Sequence, residues 1–123
     1  MKKAIAFDFL GVIAKHDGNA FISEEEYLTF EPNKEVVEAM RLLRAEDYKV
    51  IIYSTLPEEL LAYYCKKYNI VVDEINKNSD YGNGNVGKPV ASVYIDDRAI
   101  QYAGQTAETL KEQVKKFKPY WKE

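Results

Sequence analysis

Three carboxylates, a hydroxyl and two ammonium groups carry the chemistry open to this chain. Asp8 follows the apolar run Ala4-Ile5-Ala6-Phe7, Ser54 follows Val50-Ile51-Ile52-Tyr53, and Asp96-Asp97 follow Val93-Tyr94-Ile95. Lys77 lies just past a fourth run, Ile70-Val71-Val72, and Lys88 stands in Gly87-Lys88-Pro89. Carboxylates brought together repel one another, so they need a cation to stay close while ionised. An all-oxygen ligand set favours a hard ion, and Mg²⁺ typically takes one or two carboxylates, waters and a phosphate. A helix beginning beside Ser54 would offer free backbone N–H groups to a phosphoryl group. A nearby lysine would offset the charge gathering there. The set describes phosphoryl transfer to an aspartate nucleophile. Taken singly, each residue has a plain structural reading as a turn aspartate, a capping serine or a polar strand end. Their joint placement points to chemistry.

That placement depends on the elements between them. The four runs do not alternate polar with apolar, so each reads as a strand covered on both faces, as in a parallel sheet. From Lys34 to Glu46, Val36, Val37, Met40 and Leu43 recur at helical spacing, with Asn33 as N-cap. A second helix is expected from Leu56 to Tyr68, opened by Pro57, Glu58 and Glu59, with Thr55 and Glu58 spaced as a capping box. A third, over Ala107 to Phe117, puts Leu110, Val114 and Phe117 on one face. Strands alternating with helices predict an α/β fold, a three-layer sandwich around a parallel, Rossmann-like sheet. Ligands of such sheets bind beyond the carboxyl ends of the strands. Gly11 to Pro32 and Asn76 to Lys88 read as irregular, with Glu24-Glu25-Glu26 as a solvated turn. Neither stretch has room for a cap domain.

The order Asp8-Phe9-Leu10-Gly11-Val12-Ile13, then Val50 to Ser54, then a lysine, then Val93 to Asp97 resembles the four motifs of the haloacid dehalogenase (HAD) superfamily. The likeness runs from Lys3 to about Ala103 and is to the small, capless phosphatase-like members. It implies a single HAD-like domain over residues 1–123, a phosphorylated substrate and Mg²⁺ as cofactor. Asp8 would form an aspartyl-phosphate, and Ser54, with Thr55 and Gly11, would contact substrate. Asp96, helped by Asp97, would hold Mg²⁺ together with Asp8 and the backbone carbonyl of Leu10. Arg98 either orients the acidic pair, touches a substrate anion or makes a structural ion pair. The chain departs from the family at Leu10, where phosphatases usually carry a second aspartate as general acid and base. Leucine can do neither, and losing such a group costs typically ~10²–10⁴ in rate. The carbonyl ligand survives that change, so a metal- and phosphate-binding module with weakened turnover is the alternative. The lysine is open as well: Lys88 has the family's lysine-proline wording, but it precedes Asp96 by a strand. Geometry favours Lys77.

His16 reads as a solvated loop residue ahead of a substrate contact, Cys65 as core, and Tyr63, Tyr64 and Tyr68 as packing residues at helical spacing. Tyr120 and Trp121 suggest either a docked C-terminus or a self-association patch. With 123 residues, 46% of them hydrophobic and 30% charged, the chain fits one ordinary globular domain. No apolar run approaches the ~18 residues of a membrane span. Met1-Lys2-Lys3 opens only a short run that an aspartate interrupts, unlike a signal peptide. One cysteine agrees with a reducing cytoplasm. A net charge of −3 removes a general nucleic-acid footprint and leaves only a local basic groove open. An open, capless site would admit a large substrate, or a small one if a homo-oligomer supplied cover.

Overall fold

The structure, a computed structural model, describes residues 1–16, 23–84 and 88–122. Four parallel strands form one sheet in the order β3-β2-β1-β4: β1 Ala4–Asp8, β2 Lys49–Tyr53, β3 Glu74–Ile75 and β4 Val93–Ile95. Helices α2 (Lys34–Ala45) and α3 (Glu58–Lys67) connect β1 to β2 and β2 to β3. A single turn, α1 (Glu24–Tyr27), interrupts the stretch expected to be irregular, and α4 (Ala107–Lys116) follows β4. No helix among the described residues is long and apolar enough to cross a membrane.

Side chains alternate across the strands, so each face has its own partner. Ile5 and Phe7 of β1 and Val50 and Ile52 of β2 meet Met40 of α2 and Leu61, Tyr64 and Cys65 of α3 in the main core. Phe9, just beyond β1, sits edge-on to Tyr64 at 4.7 Å between ring centres. Full burial of side chains like these stabilises by roughly 1.5–3 kcal/mol each. The opposite face carries Ala4, Ala6 and Ile51, packed by Tyr53 and Tyr94 of the neighbouring strands and by Ala91 of the chain returning from β3 to β4. That return is pinned by buried Asn78, which accepts from Lys49 Nζ at 2.9 Å and donates to the Val90 carbonyl at 2.9 Å. Lys49 is further paired with Glu74 at 2.6 Å and Asp80 at 3.4 Å. Alanine on β1 leaves space for a loop to lie close.

Three local expectations are corrected. β3 is Glu74–Ile75, not Ile70 to Val72. Ile70 is buried, but its N–H turns back to the Cys65 carbonyl at 2.8 Å, and pairing with β2 starts only where the Asp73 N–H reaches Val50. The Thr55–Glu58 capping box does not form: α3 begins at Glu58 after Pro57, with no side-chain cap. The apolar stripe of α4 exists but buries no residue fully, and Leu110 is only half-buried.

Candidate active site

Parallel pairing places the chemistry. Asp8 ends β1 opposite Tyr53 at the end of β2, and Phe7 pairs with Ile95, so Asp96 and Asp97 leave β4 beside Asp8. One carboxylate oxygen from each of Asp8, Asp96 and Asp97 lies within 4.8 Å of the others. Each is held separately. Asp8 Oδ1 accepts the Phe9 N–H at 2.8 Å, and Asp96 Oδ1 accepts the Arg98 N–H at 2.7 Å. Asp96 Oδ2 accepts the Tyr53 hydroxyl, and Asp97 Oδ2 accepts the Trp121 indole N–H. Asp97 Oδ1 is buried and has no hydrogen-bond donor among the described residues.

The electrostatics follow from this crowding. Burial first, then the adjoining Asp97 carboxyl and the charges of Asp96 and Asp97, push Asp8 up from 3.8 to about 8. Burial, then Asp96, likewise raises the Tyr53 phenol above its ordinary value. Two carboxyls in such contact share either a proton or a cation. Three oxygen donors, one with an unfilled buried oxygen, fit a hard divalent cation such as Mg²⁺. Among the described residues this is the only acidic, histidine or cysteine cluster with that spacing.

A cavity of about 410 Å³ opens over the carboxylates, lined also by Leu10, His16, Tyr27, Tyr53, Ser54, Thr55, Leu56 and Arg98. Ser54 Oγ accepts the Leu56 N–H at 3.2 Å, which leaves its hydroxyl hydrogen to donate elsewhere. Gly11 stands at φ +87°, and a Cβ there would lie 2.2 Å from Asp97 Oδ2. Both the backbone conformation and the close approach therefore require glycine. Leu10 borders the cavity while packing its side chain on the main core.

The structure thus brings together Asp8, Leu10, Ser54, Thr55, Asp96, Asp97 and Arg98, with Gly11 against Asp97. Neither Lys77 nor Lys88 is among the residues lining that cavity. Lys77 is exposed two residues beyond β3. Lys88 lies over the ring of Tyr94 at 4.0 Å, and that ring meets Tyr53 edge-on at 5.7 Å. Gly87 of the lysine-proline wording lies outside the described residues.

Two partners of the site residues, Tyr53 and Asn76, escaped sequence reasoning. Tyr53 reaches Asp96 by its hydroxyl. Asn76, at φ +58°, accepts the Ser54 N–H on its side chain at 2.8 Å and so fixes the Ser54 turn. Asparagine tolerates this left-handed conformation better than most residues, but with the strand expected at Ile70 to Val72 nothing in the sequence put Asn76 at a strand end. His16, expected in solvent, is half-buried and stacks on Trp121, with ring centres 3.7 Å apart. Trp121 is docked, the first of the two readings of the C-terminus.

No protein-family profile matches the chain, and no curated protein sequence does. Among solved structures it is similar to a conserved protein from Bacteroides thetaiotaomicron, with TM-score 0.61 and 25% identity over 98% of this chain and 95% of that one. It is also similar to a chain of the Pnkp1/Rnl/Hen1 complex, with TM-score 0.54 and 16% identity, covering 99% of this chain and 37% of that chain. A second structure, of the Pnkp1/Rnl/Hen1 RNA repair complex, matches with TM-score 0.59 and 22% identity over 79% of this chain and 36% of that chain. This chain spans little more than a third of the chains from that complex. The common property is the fold.

Proposed function

We propose that this chain is a Mg²⁺-dependent, HAD-type hydrolase of phosphate esters with Asp8 as nucleophile and with turnover limited by Leu10. The reading is carried by the convergence of Asp8, Asp96 and Asp97 within 4.8 Å, in one cavity with Ser54. The ionised Asp8 carboxylate attacks phosphorus, forming an O–P bond as the ester P–O bond breaks. The departing alkoxide takes its proton from water, since Leu10 has none to give. Water then attacks the aspartyl-phosphate, releasing phosphate and regenerating Asp8. The Ser54 hydroxyl and Thr55 hold phosphoryl oxygens, whereas the Gly11 N–H, expected to contact substrate, is taken by the Ala14 carbonyl at 2.8 Å. Arg98, which borders the cavity, takes the cationic contact expected of Lys77 or Lys88.

Asp8, Asp96, Asp97 and the Leu10 carbonyl would hold Mg²⁺, which when bound supplies positive charge beside the carboxylates and the transferring group. The test is hydrolysis of an aryl phosphate, with and without Mg²⁺, by the chain, Leu10→Asp and Asp8→Asn. Slow metal-dependent turnover is expected, rising ~10²–10⁴ in Leu10→Asp and absent in Asp8→Asn. No gain from Leu10→Asp would contradict the role given to that position. Activity in Asp8→Asn would remove the nucleophile.

A second reading, a phosphate- and metal-binding regulatory module, is favoured by Leu10 itself, whose side chain is half-buried against the core. Calorimetric phosphate binding without turnover, unchanged by Leu10→Asp, would select it.

A further inference from the structure

The C-terminal tail reaches the site by a route that helix packing does not explain. α4 packs against no other helix or strand among the described residues, yet the residues after it return to the carboxyl edge of the sheet. The Tyr120 hydroxyl donates to the Gly11 carbonyl at 2.6 Å. The Trp121 indole N–H donates to Asp97 Oδ2. Its ring lies flat on His16, with 3.7 Å between centres and 6° between planes, and the Arg98 guanidinium stands 5.1 Å from the indole. A Cβ on Gly11 would come within 3.0 Å of the indole nitrogen, so the fit uses the bare Cα of that residue. These contacts join the turn after β1 to the acidic pair after β4.

We propose that Tyr120 and Trp121 are positioning residues of the active site, which hold Asp97 and the Gly11 peptide for cation binding. The indole N–H occupies Asp97 Oδ2 and leaves buried Oδ1, which has no hydrogen-bond donor, for the ion. The phenol anchors the peptide that follows the Leu10 carbonyl. A ligating carboxylate whose other oxygen accepts a fixed donor loses less freedom on binding, and removing such a donor typically weakens metal affinity ~10–100-fold. The inference rests on the metal site of the proposed function, but it concerns the tail, which lies outside the four motifs.

Trp121 is the sole tryptophan, so its emission reads the site directly. Mg²⁺ titrated into the full chain is expected to shift that emission along the same saturation curve as the calorimetric heat. Trp121→Phe keeps a ring and removes the N–H; its Mg²⁺ affinity should fall ~10–100-fold, with the metal-free melting temperature little changed. Tyr120→Phe, which retains the emission signal, should weaken Mg²⁺ binding in the same direction by less. Should the unmodified chain bind Mg²⁺ while both variants bind it equally tightly, or its emission stay constant through saturation, the tail has no positioning role and the proposed function stands. Should the unmodified chain bind no Mg²⁺, the proposed function falls and this assignment with it.

Discussion

The two sides of the sheet are built by different physics. On the side of β2 and β3, α2 and α3 press Met40, Leu61, Tyr64 and Cys65 onto Ile5, Phe7, Val50 and Ile52, and apolar burial does the stabilising. Around β4, Val93 and Ile95 are exposed on the same face of the sheet, α4 buries no residue fully, and the chain is located by single polar contacts: Tyr53 to Asp96, Trp121 to Asp97, Tyr120 to Gly11. Polar contacts of this kind fix geometry more than they add stability. The fold's stability therefore resides mainly in one half, while the other half is tuned for a site.

That division can be broken from either side. The largest effect belongs to the packed half: Leu61→Ala should lower stability by ~2–5 kcal/mol, read from the denaturant midpoint. A loss below 1 kcal/mol would mean the core is not where burial places it.

The next effect is electrostatic. Without a cation, burial and the neighbouring carboxyls let Asp8 keep its proton up to about pH 8 in the fold, whereas an ordinary aspartate loses it near 3.8. The native state then binds more protons than the unfolded chain across that window, so stability should fall as pH climbs from about 4 to about 8 and level off above. Ionisation of the site is also what a cation requires, so Mg²⁺ affinity should rise over the same range. Thermal melts against pH, with and without Mg²⁺, check both signs, and a metal-free chain that gains stability from pH 5 to 8 would contradict them.

Tyr53→Phe tests a single contact in the tuned half. Losing the hydroxyl on Asp96 should weaken Mg²⁺ binding ~10-fold by calorimetry. The smallest effect is expected for Val114→Ala on α4, where the side chain is 60% exposed: within ~0.5 kcal/mol by the same denaturant assay. A loss of 2 kcal/mol there would show α4 to be packed against something.

The packed half was the more legible in sequence. Short apolar runs marked β1, β2 and β4, although Val93 and Ile95 of β4 are exposed rather than covered on both faces, and the spacing of Val36, Val37, Met40 and Leu43 marked α2. Ile70 to Val72 misled because burial and strand pairing separate there: Ile70 enters the core from the end of α3, and the ladder starts at Glu74. Of the site, the residues at strand ends were readable because parallel register puts such ends on one edge. The partners that hold them were not. Tyr53 to Asp96 spans 43 residues and Tyr120 to Gly11 spans 109, and no local periodicity encodes contacts that long. The choice between the lysines was not legible for a related reason, since a lysine's reach depends on where a loop returns: Lys88 stands over Tyr94.

The central claim is that Asp8, Asp96 and Asp97 share one divalent ion. Crystals of the full chain soaked in Mn²⁺, a Mg²⁺ surrogate visible by its anomalous scattering, test it most directly. The account predicts one strong peak about 2.1 Å from carboxylate oxygens of this cluster and from the Leu10 carbonyl. A saturating soak that leaves the cluster empty, or metal bound only at surface carboxylates elsewhere, would contradict it.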